Sequence, residues 1–392
     1  MASAGTYHFD VPDRAAAERL AEALSAFGFP QTGAWPLSPR AFGSNDGMTW
    51  EVGVVDEGPY PHDLAGYRQE AAVKRQAHTI ARAHGGFMTL EVSHGAGPHV
   101  PSLQRANPPI LLLRPGSRPP VPLIRVLPPP PPGALSLTPD SPVRTLIRPD
   151  DLGLDAVPWP ELTAACIPAA DIPAEITRLV QRPGNWDNNL DGLVFSYLVH
   201  QGSCYSATGP ALVILARLAT AGAVTAAKRR DIYLALLYAA TRYDDDLIAD
   251  AYRAAAYGRA PEPGPWTREV KEAVGGVTPG LLARWPSEPS ACQLALAALA
   301  AAFPGHGQAV TPQIAALADE YTGTQVGAYA RLAYHLVSGE TARTLAAIAE
   351  IAAWNDEIDP EIADDESIQP ESRALILLDE AVLSAATRLA RS

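Results

Sequence analysis

The chain has 392 residues, 47% of them hydrophobic, so it can bury a core and is not disordered as a whole. It carries 30 Lys+Arg against 43 Asp+Glu, a net charge of −13, and has no local basic patch to set against that field, which excludes bare nucleic acid as a partner. No apolar run reaches the roughly 18 residues of a membrane span, no basic-then-apolar signal opens the chain, and the lone cysteines Cys166, Cys204 and Cys292 lack CxxC spacing, so the expected compartment is a reducing cytoplasm.

The first segment, residues 1–94, reads as a small α+β domain. Tyr7, Phe9 and Val11 alternate as a half-buried strand does. Leu20, Leu24 and Phe27 then recur at helical spacing behind Asp13, a capping residue, and Gly28 stops the helix. A strand is predicted over residues 31–37, and another through Trp50, Val52 and Val54. A second helix runs from Asp63 to His84, ends at Gly85-Gly86 and leads into a last strand through Met88, Leu90 and Val92. The order strand-helix-strand-strand-helix-strand predicts a ferredoxin-like plait. With its tryptophan strand (Met48-Thr49-Trp50-Glu51-Val52) and its Gly85-Gly86 turn, the segment resembles the RraB-like regulators of ribonuclease E activity. That resemblance implies binding to a protein; the fold itself hosts many functions.

Residues 95–164 are saturated with proline, including an unbroken run over 128–132, a composition that favours extended polyproline II. Apolar stretches at 110–114 and 121–127 predict a connector packed against a domain. A free tether, or a proline ligand for an aromatic groove, are the other readings.

From residue 165 to 392 helix follows helix. Thr278-Pro279 and Thr311-Pro312 each set a hydroxyl before a proline and predict helix starts, and Pro210 does the same for a helix carrying Leu212, Leu215 and Leu218. Further helices carry Ile232, Leu236 and Ala240; Leu294, Ala298 and Phe303; Ile314 and Leu317; Leu332 and Leu336; Leu345 and Ile348. Helix pairs every 35–45 residues or so predict an all-α solenoid. The run His200-Gln201-Gly202-Ser203-Cys204-Tyr205-Ser206-Ala207-Thr208-Gly209-Pro210-Ala211 resembles the joint of HEAT-like repeat proteins common in actinobacteria. In that joint Gly202 ends a helix, a buried Tyr205 plugs the gap and Pro210 starts the partner helix. Several such proteins are suspected immunity or binding partners, so the resemblance implies a binding role.

Chemistry-bearing residues are few. Asp244, Asp245, Asp246 and Asp250 suggest the Mg²⁺-binding carboxylates of an all-α, terpene-synthase-type enzyme, but no second metal box faces them; carboxylates near a helix start are also favoured by its dipole. His200 and Cys204 lack the further ligands that zinc needs and read as a packed joint. His78, His84, His94 and His99 are scattered around a helix end and loop. Gly95-Ala96-Gly97 lacks the rest of a dinucleotide fingerprint, and neither a P-loop nor GxSxG is present. The short run Lys228-Arg229-Arg230 reads as a solvated face.

Asp356, Glu357, Asp359, Glu361, Asp364, Asp365, Glu366 and Glu371 fall in one stretch free of Lys and Arg. It is either a solvated loop or a negative surface that steers a basic partner. No catalytic residue, metal or cofactor is predicted. The expected function is a non-enzymatic protein-binding scaffold, in its sharpest form an immunity protein neutralising a basic toxin. Its contacts would be the carboxylates at 244–246, 250 and 356–366, with Tyr243, Tyr252, Tyr257 and Trp354 as aromatic anchors. A regulator of an RNA-processing enzyme and a metal-dependent all-α enzyme are the alternatives.

Overall fold

The computed structural model describes residues 3–37, 48–60, 64–94, 111–113, 128–137, 152–181, 183–221, 223–257, 264–355 and 368–391. The chain divides into two compact units, Met1–Val126 with Ala251–Ala260, and Leu127–Asp250 with Pro261–Ser392. Among the described residues no helix is long and apolar enough to cross a membrane.

In the first unit β1 (Ser3–Val11), α1 (Arg14–Phe27), β2 (Gln31–Pro36), β3 (Trp50–Tyr60), α2 (Leu64–Ala83) and β4 (Phe87–His94) follow in that order. The strands lie β4-β1-β3-β2, with every pairing antiparallel. Period-two alternation puts Tyr7, Phe9 and Val11 on the same face as Val52 and Val54. Leu20 and Leu24 of α1 and Val73, Ala77 and Ala81 of α2 close the core over them. Asp13 caps α1 by accepting from the Ala16 N–H at 2.7 Å, and Gly28 ends it at φ 107°, a left-handed conformation that suits glycine. The alternate residues are buried too: Asp10 and Glu51 are each under 4% exposed, and Glu51 pairs with His8 at 2.7 Å. The strands are therefore more than half-buried.

The proline-rich connector does not stay a separate element. Leu111–Leu113 forms β5, which pairs antiparallel with β2 and extends the sheet beyond residue 94, because an apolar run can add to an open edge. Residues 128–137 belong instead to the second unit, as an extended strap. Its backbone is tied by Gln325 N–H to the Pro131 carbonyl (2.9 Å), Leu135 N–H to the Leu389 carbonyl (3.1 Å) and Ser136 N–H to Ser290 Oγ (2.8 Å). Within the strap β6 (Leu135–Ser136) runs parallel to β9 (Ala390–Arg391).

The rest of this unit is mostly helical. Its helices are α3 (Ile172–Gln181), α4 (Trp186–Asp191), α5 (Thr208–Thr220), α6 (Ala226–Tyr257, which belongs to this unit as far as Asp250), α7 (Thr267–Leu282) and α8 (Ser290–Ala302). Then come α9 (Pro304–Gly307), α10 (Thr311–Glu320), α11 (Gln325–Val337), α12 (Thr341–Ala352) and α13 (Pro370–Arg388). The apolar periodicity read from the sequence faces inward, with Leu345 the exception at 37% exposure. A solenoid is not shown. In a repeat stack each pair touches only its neighbours, whereas here α13 packs on α8, α11 and α12 together, and α8 is buried on nearly every side.

Two local expectations change. Thr311-Pro312 opens α10, but Thr278-Pro279 lies inside α7, where Thr278 Oγ donates to the Val274 carbonyl at 2.8 Å and continues the helix. Residues 199–204 form a two-residue hairpin, β7 (Val199–His200) with β8 (Ser203–Cys204), in place of a helix end. Gln201 and Gly202 turn it at φ 50° and 81°, the mirror-image turn geometry that tight hairpins prefer. Tyr205 is only half-buried, and the joint is closed by Thr208, fully buried, whose hydroxyl donates to the Leu198 carbonyl at 2.5 Å and accepts from the Tyr205 N–H at 2.9 Å.

Candidate functional site

The three adjacent carboxylates of α6 do not form a common site. Asp244 is 5% exposed and takes Lys271 Nζ of α7 at 2.6 Å and Ser372 Oγ of α13 at 3.2 Å. Asp245 pairs with Arg242 on its own helix. Asp246 accepts from the Gly264 N–H (2.8 Å) and Thr267 Oγ (2.9 Å), fastening the start of α7. Arg242 reaches on to Asp379 of α13 at 2.9 Å, and Asp379 also accepts from Thr241 Oγ at 3.0 Å. Burial pushes the Asp379 carboxyl up to about 6, against the opposing pull of Arg242. These oxygens staple α6 to α7 and α13. Among the described residues no group of three His, Cys, Asp or Glu is placed to hold a metal ion.

The basic run is likewise committed, not solvated. Arg229 is buried and grips Glu288 with Nε at 2.8 Å and Nη2 at 2.9 Å, while Arg284 and the Tyr233 hydroxyl complete the same carboxylate at 2.7 and 3.0 Å. Burial would raise the Glu288 carboxyl, but its bonds to Arg229 and Arg284 outweigh that and leave it below its ordinary value. Lys228 lies over the Trp186 ring, 4.7 Å from its centroid. The thiol pKa of Cys204 is pushed up to about 12 by burial and that of Cys292 is also raised, which makes both poor nucleophiles.

A cleft of about 280 Å³ lies where α4, α6 and α13 meet. In α4 Trp186 and Leu190, four apart, turn inward, which leaves Asp187 and Asp191, also four apart, on the outer face. The helix then passes into a π-helical turn, Gly192–Leu198, whose wider winding presents Phe195 at 36% exposure. Phe195 stands edge-on to Tyr238 of α6 with centroids 4.9 Å apart. Leu190, Leu234, Ala235 and Leu383 complete an apolar floor, on which Leu383 is 37% exposed.

Asp187, Asp191 and Asp231 rim this floor with Arg230. Arg230 is spent on Asp231 at 2.6 Å, and Asp231 also accepts from the Trp186 indole N–H at 3.1 Å. Asp187 and Asp191 make no ion pair within 4 Å and no side-chain hydrogen bond among the described residues, although the Asp187 charge acts at longer range on the Lys228 ammonium, whose pKa burial lowers and that charge raises. Partial burial and then the neighbouring Asp187 charge hold the Asp191 carboxyl above its ordinary value. Burial does the same for Asp231 despite Arg230. Such a rim favours an incoming cation, which relieves the repulsion between the two carboxylates.

Of the residues singled out in the sequence, Tyr243 is half-buried under Lys271, with 5.0 Å from Nζ to its ring centroid. Trp354 is 5% exposed and packs on Tyr329 at 5.8 Å. Asp250, Tyr252 and Tyr257 belong to α6, and their side chains lie outside those described. So do Asp356, Glu357, Asp359, Glu361, Asp364, Asp365 and Glu366 as whole residues. Sequence reasoning missed Asp187, Asp191, Phe195 and Leu383. The one local signal for them is the Asp187–Asp191 spacing beside Trp186 and Leu190.

No family model, no curated protein and no solved structure matches this chain.

Proposed function

We propose that this protein is a non-enzymatic binding scaffold whose helical unit takes a basic segment of a partner protein. The observation that carries this reading is the cleft of α4, α6 and α13, with an apolar floor beneath two carboxylates that make no close ion pair among the described residues. A Lys or Arg side chain suits both parts: its methylene stem lies on Phe195, Leu190 and Leu383 while its head sits between Asp187 and Asp191. An immunity protein that neutralises a basic toxin is the sharpest form of this proposal. The packing of α10 on α11 and of α11 on α12 supports a HEAT-like character for that part of the unit.

A defined probe tests the proposal, a fluorescein-labelled peptide alternating Lys and Leu, compared with its Glu-Leu counterpart. The Lys-Leu peptide should bind saturably, weaken as salt rises, and lose about tenfold in affinity when Asp187 and Asp191 are both changed to Asn. Equal binding of the Glu-Leu peptide, or no change in the double variant, would defeat it.

A second reading rests on the first unit. Its strand order β4-β1-β3-β2 around two helices supports a ferredoxin-like plait, and with it the RraB-like reading as a regulator of an RNA-processing enzyme. That reading requires residues 1–126 to be needed for a stoichiometric complex with a ribonuclease. Co-purification of a ribonuclease with the intact chain, abolished when that unit is deleted, is the result it predicts.

A further inference from the structure

The basic run at the start of α6 sends its three cations in three directions, because successive residues of a helix lie about 100° apart around its axis. Arg229 turns inward to Glu288. Arg230 lies on the rim of the acidic cleft, where Asp231 takes it at 2.6 Å. Lys228 is half-buried and reaches α4, with its Nζ 4.7 Å from the centroid of the Trp186 ring. Trp186 is thus used twice, its face by Lys228 and its indole N–H by Asp231. Asp187 follows Trp186 directly in the chain. The carboxylates that act on the Lys228 ammonium, against the effect of its burial, are Asp187 and then Asp231.

Around the apolar floor, then, three carboxylates (Asp187, Asp191 and Asp231) stand against two cations (Lys228 and Arg230), which leaves one negative charge uncompensated. The two pairs are unequal. Arg230 is held by Asp231 in direct contact, whereas Lys228 serves Asp187 from a distance. Asp191 is left over, and the charge that acts on it is the like charge of Asp187. An incoming ammonium or guanidinium therefore gains most beside Asp191, with its stem on Phe195 and Leu383. A second incoming cation would have to settle beside Asp187, against the repulsion of Lys228.

Resting on the binding-scaffold reading above, we propose that Lys228 is a specificity-determining residue of the cleft. It is the built-in counter-ion of Asp187, it leaves Asp191 to receive the partner's cation, and it thereby selects a segment carrying one Lys or Arg among apolar residues over a polybasic one.

The test is fluorescence anisotropy of the intact chain with the alternating Lys-Leu peptide and with a copy in which every Lys but one is Ser, both N-acetylated. The one-lysine peptide should bind within about threefold of the polybasic one, and Asp191→Asn should weaken it about fivefold where Asp187→Asn costs about twofold or less. Lys228→Met keeps the stem over Trp186 and removes the charge. In that background the polybasic peptide should gain about fivefold over the one-lysine peptide, and Asp187→Asn should now cost about as much as Asp191→Asn. Lys228→Arg, which keeps the charge, should behave as the unaltered chain does, and thermal unfolding midpoints show that each variant is folded. Equal losses from Asp187→Asn and Asp191→Asn in the unaltered chain, or peptide preferences that Lys228→Met leaves unchanged, would overturn this proposal alone and leave the scaffold reading standing. Failure of both peptides to bind any of these proteins would defeat the scaffold reading, and this proposal with it.

Discussion

Two acidic turns of the helical unit are alike in sequence and differ in their contacts. On α6, Asp244, Asp245 and Asp246 are consumed by Lys271, Ser372, Arg242, Gly264 and Thr267, and they join three helices. On α4, Asp187 and Asp191 face a cleft with no such partners among the described residues. Carboxylate density, the feature visible in the sequence, does not separate them. What separates them is whether a cation or donor is packed in hydrogen-bonding contact, and that depends on helices far apart along the chain.

The largest expected effect that sharpens this contrast comes from Asp244→Ala. It leaves the Lys271 ammonium, with 23% of its side chain exposed, without its carboxylate. Breaking a buried pair in this way should cost the helical unit about 2–3 kcal/mol, less than for a fully buried cation because Lys271 recovers some hydration. Urea unfolding measures this, and Lys271→Met in the same chain should restore part of the loss. A loss below about 0.5 kcal/mol would place Asp244 with the solvated acids instead.

An intermediate effect concerns pH. The folded Asp379 carboxyl, raised to about 6, holds its proton more tightly than the unfolded chain does, whose value is near 3.9. Between about pH 4 and 6 the native state therefore binds more protons at this residue, and its contribution to stability falls as pH rises. Subtracting the urea-unfolding free energies of Asp379→Asn from those of the unaltered chain at pH 4, 5 and 6 should give a difference that declines across the window. A flat difference would mean that Arg242 sets this carboxyl and burial does not.

The smallest effect is expected on α4. Asp191→Asn removes a like-charge pair four residues apart and should raise stability by only about 0.2–0.5 kcal/mol, while weakening capture of a basic peptide. If the change destabilises the fold by more than about 1 kcal/mol, Asp191 is structural and the contrast between the turns collapses.

Much of the first unit was legible in the sequence because its signals are local. Asp13 and Gly28 bound α1 where expected, and the alternation around Tyr7, Phe9 and Val11 named the core face of β1. The helical unit was legible in its periodicity and less so in its joints. Thr278-Pro279 and Thr311-Pro312 carry the same two letters, yet only the second opens a helix; both hydroxyls bond back one turn, to Val274 and to Gln308, and it is Thr278 that is fully buried within α7. The cleft was almost invisible: its residues lie between Asp187 and Thr387 on three helices, and no short window contains both its floor and its rim. Trp354 stands out in the sequence as an aromatic anchor, and in the structure it is mostly buried against Tyr329.

The parallel bridge between Leu135 and Ala390 also bears on the order of folding. The strap leaves the ribosome early, but its hydrogen-bonding partner is made about 250 residues later, and contacts of such separation close late because their loop entropy must be met first. Until then the carbonyl that receives the Leu135 N–H does not yet exist. Closure of the Leu135 end of the strap therefore waits for residues 389–391, and a nascent chain halted before residue 389 should leave that end more open to protease although the helices preceding the stall have formed.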